Sequence, residues 1–162
     1  TVNDTLSYLS RTPFGEFEEV KKFLDSFQRT VIRSRVSTIL AGKEEATKMD
    51  FCWHNDEPIF VNLRVNVPLE TSPNYVIQII SGSISEFELR KKYAYVYDTN
   101  KYHRPLCKKL DNVDRINMIC GVSPWFDFDR ESRSWISNEF YGEMHPFDML
   151  KHGYISSLIR SN

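Results

Sequence analysis

Between Thr30 and Val122 the chain is cut by turn-forming residues about every 8–12 positions into roughly eight short runs rich in β-branched and aromatic residues. They include Thr30–Leu40, Thr47–Trp53, Ile59–Val67, Tyr75–Ile80, Glu86–Arg90, Tyr93–Tyr97 and Val113–Val122. Ala41–Glu45, Asn55–Pro58, Thr71–Asn74, Ser81–Ser83 and a loop over Asn100–Pro105 punctuate them. Short strands at that spacing predict a mainly β domain, a sandwich or a barrel. The most informative run is Ile59–Val67, where Asn62, Arg64 and Asn66 alternate with Val61, Leu63, Val65 and Val67. A period of two gives one polar and one apolar face.

The ends read differently. Phe17, Val20, Phe23, Leu24 and Phe27 recur at helical spacing, so a packing helix is predicted over Glu16–Arg29, with Glu16, Glu18 and Glu19 suiting its first turn. Past Ser123 the chain turns aromatic and acidic. A short helix is predicted over Trp135–Phe140 and a longer one over Pro146–Arg160, with Gly153 as its weak point. The expected organisation is one domain over 1–162, with a core at about 30–127 and a helical extension at about 128–162.

Composition excludes several function classes. A chain of 162 residues with 41% apolar and 14% aromatic residues can bury a sizeable core. A net charge of -1 offers no broad field for nucleic acid or an anionic membrane surface. No apolar run approaches the length of a membrane span, and no signal-peptide pattern is read. Cys52, Cys107 and Cys120 are widely spaced and odd in number. They suit free thiols in a reducing compartment better than a disulfide framework, so a cytoplasmic location is expected.

The chemistry concentrates just before the alternating run. His54 and Asp56 stand two residues apart at a predicted strand end, and His103 lies several strands further on. Two histidines and one carboxylate form the facial triad of non-haem iron oxygenases, which leaves coordination positions open. A His-X-Asp pair also occurs by chance in many proteins. Arg115 adds to the pattern, because it opens the last apolar strand with no obvious acidic partner. A guanidinium in such a place suits a carboxylate ligand bound bidentately.

Together these segments resemble the aspartyl/asparaginyl β-hydroxylase-like branch of the Fe(II)/2-oxoglutarate-dependent oxygenases. The resemblance runs over about residues 33–127. It is carried by WHNDEPIFVNLRVNVPLETSPNYVIQI, YAYVYDTNKYHRPL and NVDRINMICGVSPW, in that order. It implies a double-stranded β-helix, a cupin-like jelly-roll barrel. It implies Fe(II) held by His54, Asp56 and His103, with 2-oxoglutarate as co-substrate and O2 as oxidant. Arg115 and Ser37 would bind the distal carboxylate of 2-oxoglutarate, and Arg64 would lie near its chelating end. Asn66, a further candidate contact for 2-oxoglutarate, stands where the animal enzymes have histidine, whereas Asp56 keeps the acidic ligand that those enzymes lack. The implied activity is hydroxylation of a small-molecule or peptidyl amino acid, such as an Asp, Asn or Pro side chain. It would be coupled to decarboxylation of 2-oxoglutarate to succinate. Arg104, Trp125 and Arg133 are candidate substrate contacts.

Two other readings compete. The stretch from Leu40 to Ile80 also resembles the last strands of a PAS-like sensor, a non-catalytic interaction module in which Asn55–Pro58 is a plain hairpin turn. The third is a cupin-fold metal-binding protein without oxygenase activity.

Overall fold

The structure is a computed structural model that describes residues 9–41, 53–110 and 112–159. It is mainly β, with antiparallel sheets. The strands are β1 (Val31–Ile39), β2 (Leu63–Glu70), β3 (Tyr75–Ser81), β4 (Ser83–Glu88), β5 (Tyr95–Val96), β6 (His103–Cys107), β7 (Arg115–Val122), β8 (Phe126–Asp129) and β9 (Ser134–Ser137). They form three open sheets, in the orders β1-β7-β2-β5, β4-β3-β6 and β8-β9, and not the closed barrel expected. Among the described residues two α-helices accompany them, α1 (Glu18–Asp25) and α2 (Pro146–Lys151). No helix among the described residues is long and apolar enough to cross a membrane.

Several boundaries differ from the sequence expectation, each for a local reason. The N-terminal helix is shorter than predicted: a 3-10 turn at Pro13–Glu16 precedes α1, which ends at Asp25. Phe27 leaves the helix to bridge Ser156. Ile59–Asn62 is not strand, because the amides of Val61 and Asn62 turn back onto the Pro58 carbonyl. The polar alternation on β2 therefore begins at Arg64. The loop predicted over Asn100–Pro105 is half strand, since His103–Cys107 pairs with β3. Pro105 is tolerated there because β6 is an edge strand. Trp135–Phe140 is not helical, as Ser134–Ser137 pairs with Phe126–Asp129 in a hairpin whose turn is held by Asp129 accepting from Glu131 and Ser132. The C-terminal helix stops at Lys151, two residues before Gly153 takes a φ of 79°. The strand predicted over Thr47–Trp53 and the turn over Ala41–Glu45 lie almost wholly outside the described residues.

The chain divides into two compact units, each assembled from separate stretches. One takes its described residues from the N-terminal stretch up to Ser34, from Pro58–Leu63 and from Cys120 onward. Its core includes Leu24, Ile32, Met149 and Ile155. Arg29 anchors the tail there, reaching Asp127 and Glu139 at 3.0 Å each and lying 4.9 Å over the Phe140 ring. The other unit spans Arg35–Glu57 and Arg64–Ile119. It contains β3, β4, β5 and β6 whole and packs Ile39, Tyr75 and Cys107 into one cluster. The Tyr75 hydroxyl donates to the Val113 carbonyl at 3.1 Å. Cys107 and Cys120 are buried free thiols, as expected; Cys52 lies outside the described residues.

Candidate metal centre

The second unit brings His54, Asp56 and His103 together. One ligand atom from each lies within 4.8 Å of the other two. Backbone pairing sets this up. The amide of His54 donates to the His103 carbonyl at 3.2 Å, and the amide of His103 donates to the His54 carbonyl at 2.9 Å. The two histidines therefore sit opposite each other, with ring centroids 4.5 Å apart. The Asp56 amide donates to the Thr99 carbonyl at 2.8 Å, which fixes the third ligand beside them.

The chemistry of the donor set fits a divalent metal ion. His103 is 4% exposed and its Nδ1 lies 2.9 Å from the Lys101 carbonyl. A carbonyl only accepts, so Nδ1 donates to it, and Nε2 is left either to donate to Asp56 or to offer a lone pair to a metal. That Nε2 faces Asp56 Oδ2 at 3.5 Å. Two electron-rich atoms facing each other need a proton or a cation between them. A histidine whose second nitrogen donates to a carbonyl is the usual support of a metal ligand. Burial works against an ionised Asp56, but the His103 hydrogen bond and the charges of Arg64, His103 and His54 outweigh it and hold the carboxyl below its ordinary pKa of 3.8. Metal binding needs that deprotonated form.

The remaining predicted residues divide. Arg64 joins the group: its Nη1 contacts Asp56 Oδ2 and its Nη2 lies 3.1 Å from Glu57 Oε2. Arg115 is 6% exposed, and no acid among the described residues forms an ion pair with it. Burial lowers its pKa from the ordinary arginine value, opposed by Tyr97 and Tyr75. Its neighbour Asp114 turns away and accepts from the Ala41 amide at 2.7 Å. Asn66 is 4% exposed, and its Oδ1 accepts from Asn117 Nδ2 at 3.0 Å. Ser37 is half-buried on β1. Arg104 follows His103 directly on β6 and so faces the other way. It lies 4.6 Å over the Trp53 ring and donates to Gln78 at 2.9 Å. Trp125 and Arg133 belong to the other unit. There Trp125 stacks on Phe60 at 5.0 Å and donates to the Met144 carbonyl, while Arg133 is exposed with a φ of 52°.

Sequence reasoning missed Tyr97, Thr99 and Asn117. Tyr97 meets the His103 ring edge-on at 5.5 Å, and burial raises its pKa to about 12. Thr99 Oγ1, Asn66 Nδ2 and Asn117 Oδ1 are buried polar atoms with no hydrogen-bond partner among the described residues. Such orphans in a native fold call for an explanation, and a polar ligand is one. A signal for Asn117 is present in the sequence. Arg64-Val-Asn66 and Arg115-Ile-Asn117 repeat one Arg-X-Asn pattern on the neighbouring strands β2 and β7.

No family model, no curated protein and no solved structure matches this chain.

Proposed function

We propose that the protein is an Fe(II)/2-oxoglutarate-dependent dioxygenase that hydroxylates an amino acid or an Asp, Asn or Pro side chain. The observation that carries this reading is the convergence of His54, Asp56 and His103, two histidines and one carboxylate within 4.8 Å. The buried Arg115 supports it, because a guanidinium without an acid among the described residues is suited to the distal carboxylate of a dicarboxylate. The finer fold in this proposal is a double-stranded β-helix of the cupin-like jelly-roll type.

Fe(II), when bound, would supply the oxygen chemistry, with 2-oxoglutarate giving succinate and CO2 as the substrate C–H becomes C–OH. The chain's own residues bind and orient. His54, Asp56 and His103 would hold the metal, and the Lys101 carbonyl, by accepting from His103 Nδ1, leaves Nε2 to face it. Arg64 would meet the chelating end of the co-substrate, and Arg115 its far end. Asn66 and Asn117, tied by their amides, lie on the strands that carry the two arginines.

The test is a titration with Fe(II) under anaerobic conditions, followed by an assay of succinate formed from 2-oxoglutarate in air. One equivalent of metal should bind, and slow succinate production should follow even without a prime substrate. His54→Ala and Asp56→Ala should abolish both. Arg115→Met should keep the metal and raise the 2-oxoglutarate requirement at least tenfold, roughly the worth of a charge-assisted bidentate contact. Metal binding without any turnover of 2-oxoglutarate would favour the non-oxygenase cupin. No metal binding at all would overturn the proposal.

A further inference from the structure

The fork made by Arg64 has no counterpart in the roles assigned above. Its two terminal nitrogens reach two carboxylates that are neighbours in sequence, Asp56 through Oδ2 and Glu57 through Oε2 at 3.1 Å. The Asp56 oxygen it contacts is also the one that faces His103 Nε2 at 3.5 Å. A metal ion held by His54, Asp56 and His103 through that oxygen would draw on the atom that Arg64 draws on. Two cations sharing one carboxylate oxygen compete for its charge. The side chains of Arg64 and Asp56 are each 14% exposed, so water screens that competition weakly; Glu57, at 35%, sits at the rim.

We propose that Glu57 is a positioning residue that tunes metal affinity through Arg64. It offers the guanidinium a second carboxylate and so sets how much of Arg64 rests on Asp56. With Glu57 ionised, Arg64 can yield the shared oxygen to a metal without losing its only anionic partner. Arg64, once turned from Asp56, is also the group placed to receive an anion beside the metal. The inference rests on the metal reading given above, but it concerns two residues outside the ligand set.

Calorimetric titration of the chelator-stripped protein with Mn2+, without 2-oxoglutarate and at fixed pH and salt, tests it. Four proteins are compared: wild type, Glu57→Gln, Arg64→Met and the double variant, each checked for folding by its thermal melt. Arg64→Met should tighten Mn2+ binding severalfold, since a competing cation is gone. Glu57→Gln should weaken it by roughly five- to tenfold when Arg64 is present and by less than about twofold in the Arg64→Met background, the non-additivity expected of a coupled pair. Equal weakening in both backgrounds would reduce Glu57 to a plain through-space charge and overturn the proposal while leaving the metal centre intact. Absence of Mn2+ binding in every variant would instead remove the metal centre itself. Arg64→Gln serves in place of Arg64→Met if the latter melts early.

Discussion

Arg115 occupies a place where its charge works against folding, because burial disfavours the cation and no described acid pairs with it. Arg115→Met keeps most of the volume and removes the charge. It should stabilise the protein by about 1–2 kcal/mol in chemical denaturation, while removing any thermal shift caused by 2-oxoglutarate. Cys120 makes a second residue-scale case. Burial raises its thiol from an ordinary 9.0 to about 11, against a hydrogen bond with Ser34 that pulls the other way. Since the folded pKa lies above the unfolded one, the unfolded chain loses its proton first. This contribution to stability is complete below about pH 9 and declines as pH rises toward 11. Denaturation curves between pH 8 and pH 11 should show a loss of about 2 kcal/mol from this source. Cys120→Ala should show a shallower alkaline decline, from a starting point about 1 kcal/mol lower because of the small cavity.

At the scale of the element, β7 is constrained most tightly at Gly121. A Cβ there would come within 2.5 Å of both Asn62 Oδ1 and the Ile32 carbonyl oxygen, and the backbone partner cannot move aside cheaply. Gly121→Ala should cost about 1–3 kcal/mol and lower the melting temperature by about 2–12 °C in calorimetry. The strands β1, β3 and β7 were legible as β-branched or apolar runs, and their bounds differ little from the reading of the sequence. The pair His54 and Asp56 was legible as a local His-X-Asp pattern, and the structure brings His103 beside it in a group that could hold a metal ion. What could not be read locally depends on pairing. His103–Cys107 looks like loop because of Pro105, and only its partner β3 makes it a strand. Ser134–Ser137 carries no helical or strand periodicity long enough to decide, and the hairpin with β8 decides it. Tyr97 and Thr99 gain their importance from standing beside His103 and Asp56, a neighbourhood that no spacing in the chain announces. Asn117 was within reach, had the two Arg-X-Asn runs been compared.

For the molecule as a whole, His54 and Asp56 come from one stretch of a unit and His103 from a distant one, so an ion bound by all three would bind the folded chain and not the unfolded one. Linkage then predicts stabilisation by about 2.7 kcal/mol at a metal concentration one hundred times Kd. Differential scanning fluorimetry with and without Mn2+ should show a rise of about 5–10 °C for the wild type and none for Asp56→Ala. The near-neutral net charge of -1 implies that this shift should change little with added salt, because no long-range field gathers the ion. The reciprocal main-chain pair between His54 and His103 has one more consequence. The gauge between the two imidazoles is written in peptide groups and not in side chains. Neighbouring side chains can drift through many substitutions without altering it, and only a slip of strand register would erase it. A protein engineer could therefore copy the motif onto another antiparallel pair by placing two histidines face to face and an aspartate two residues along.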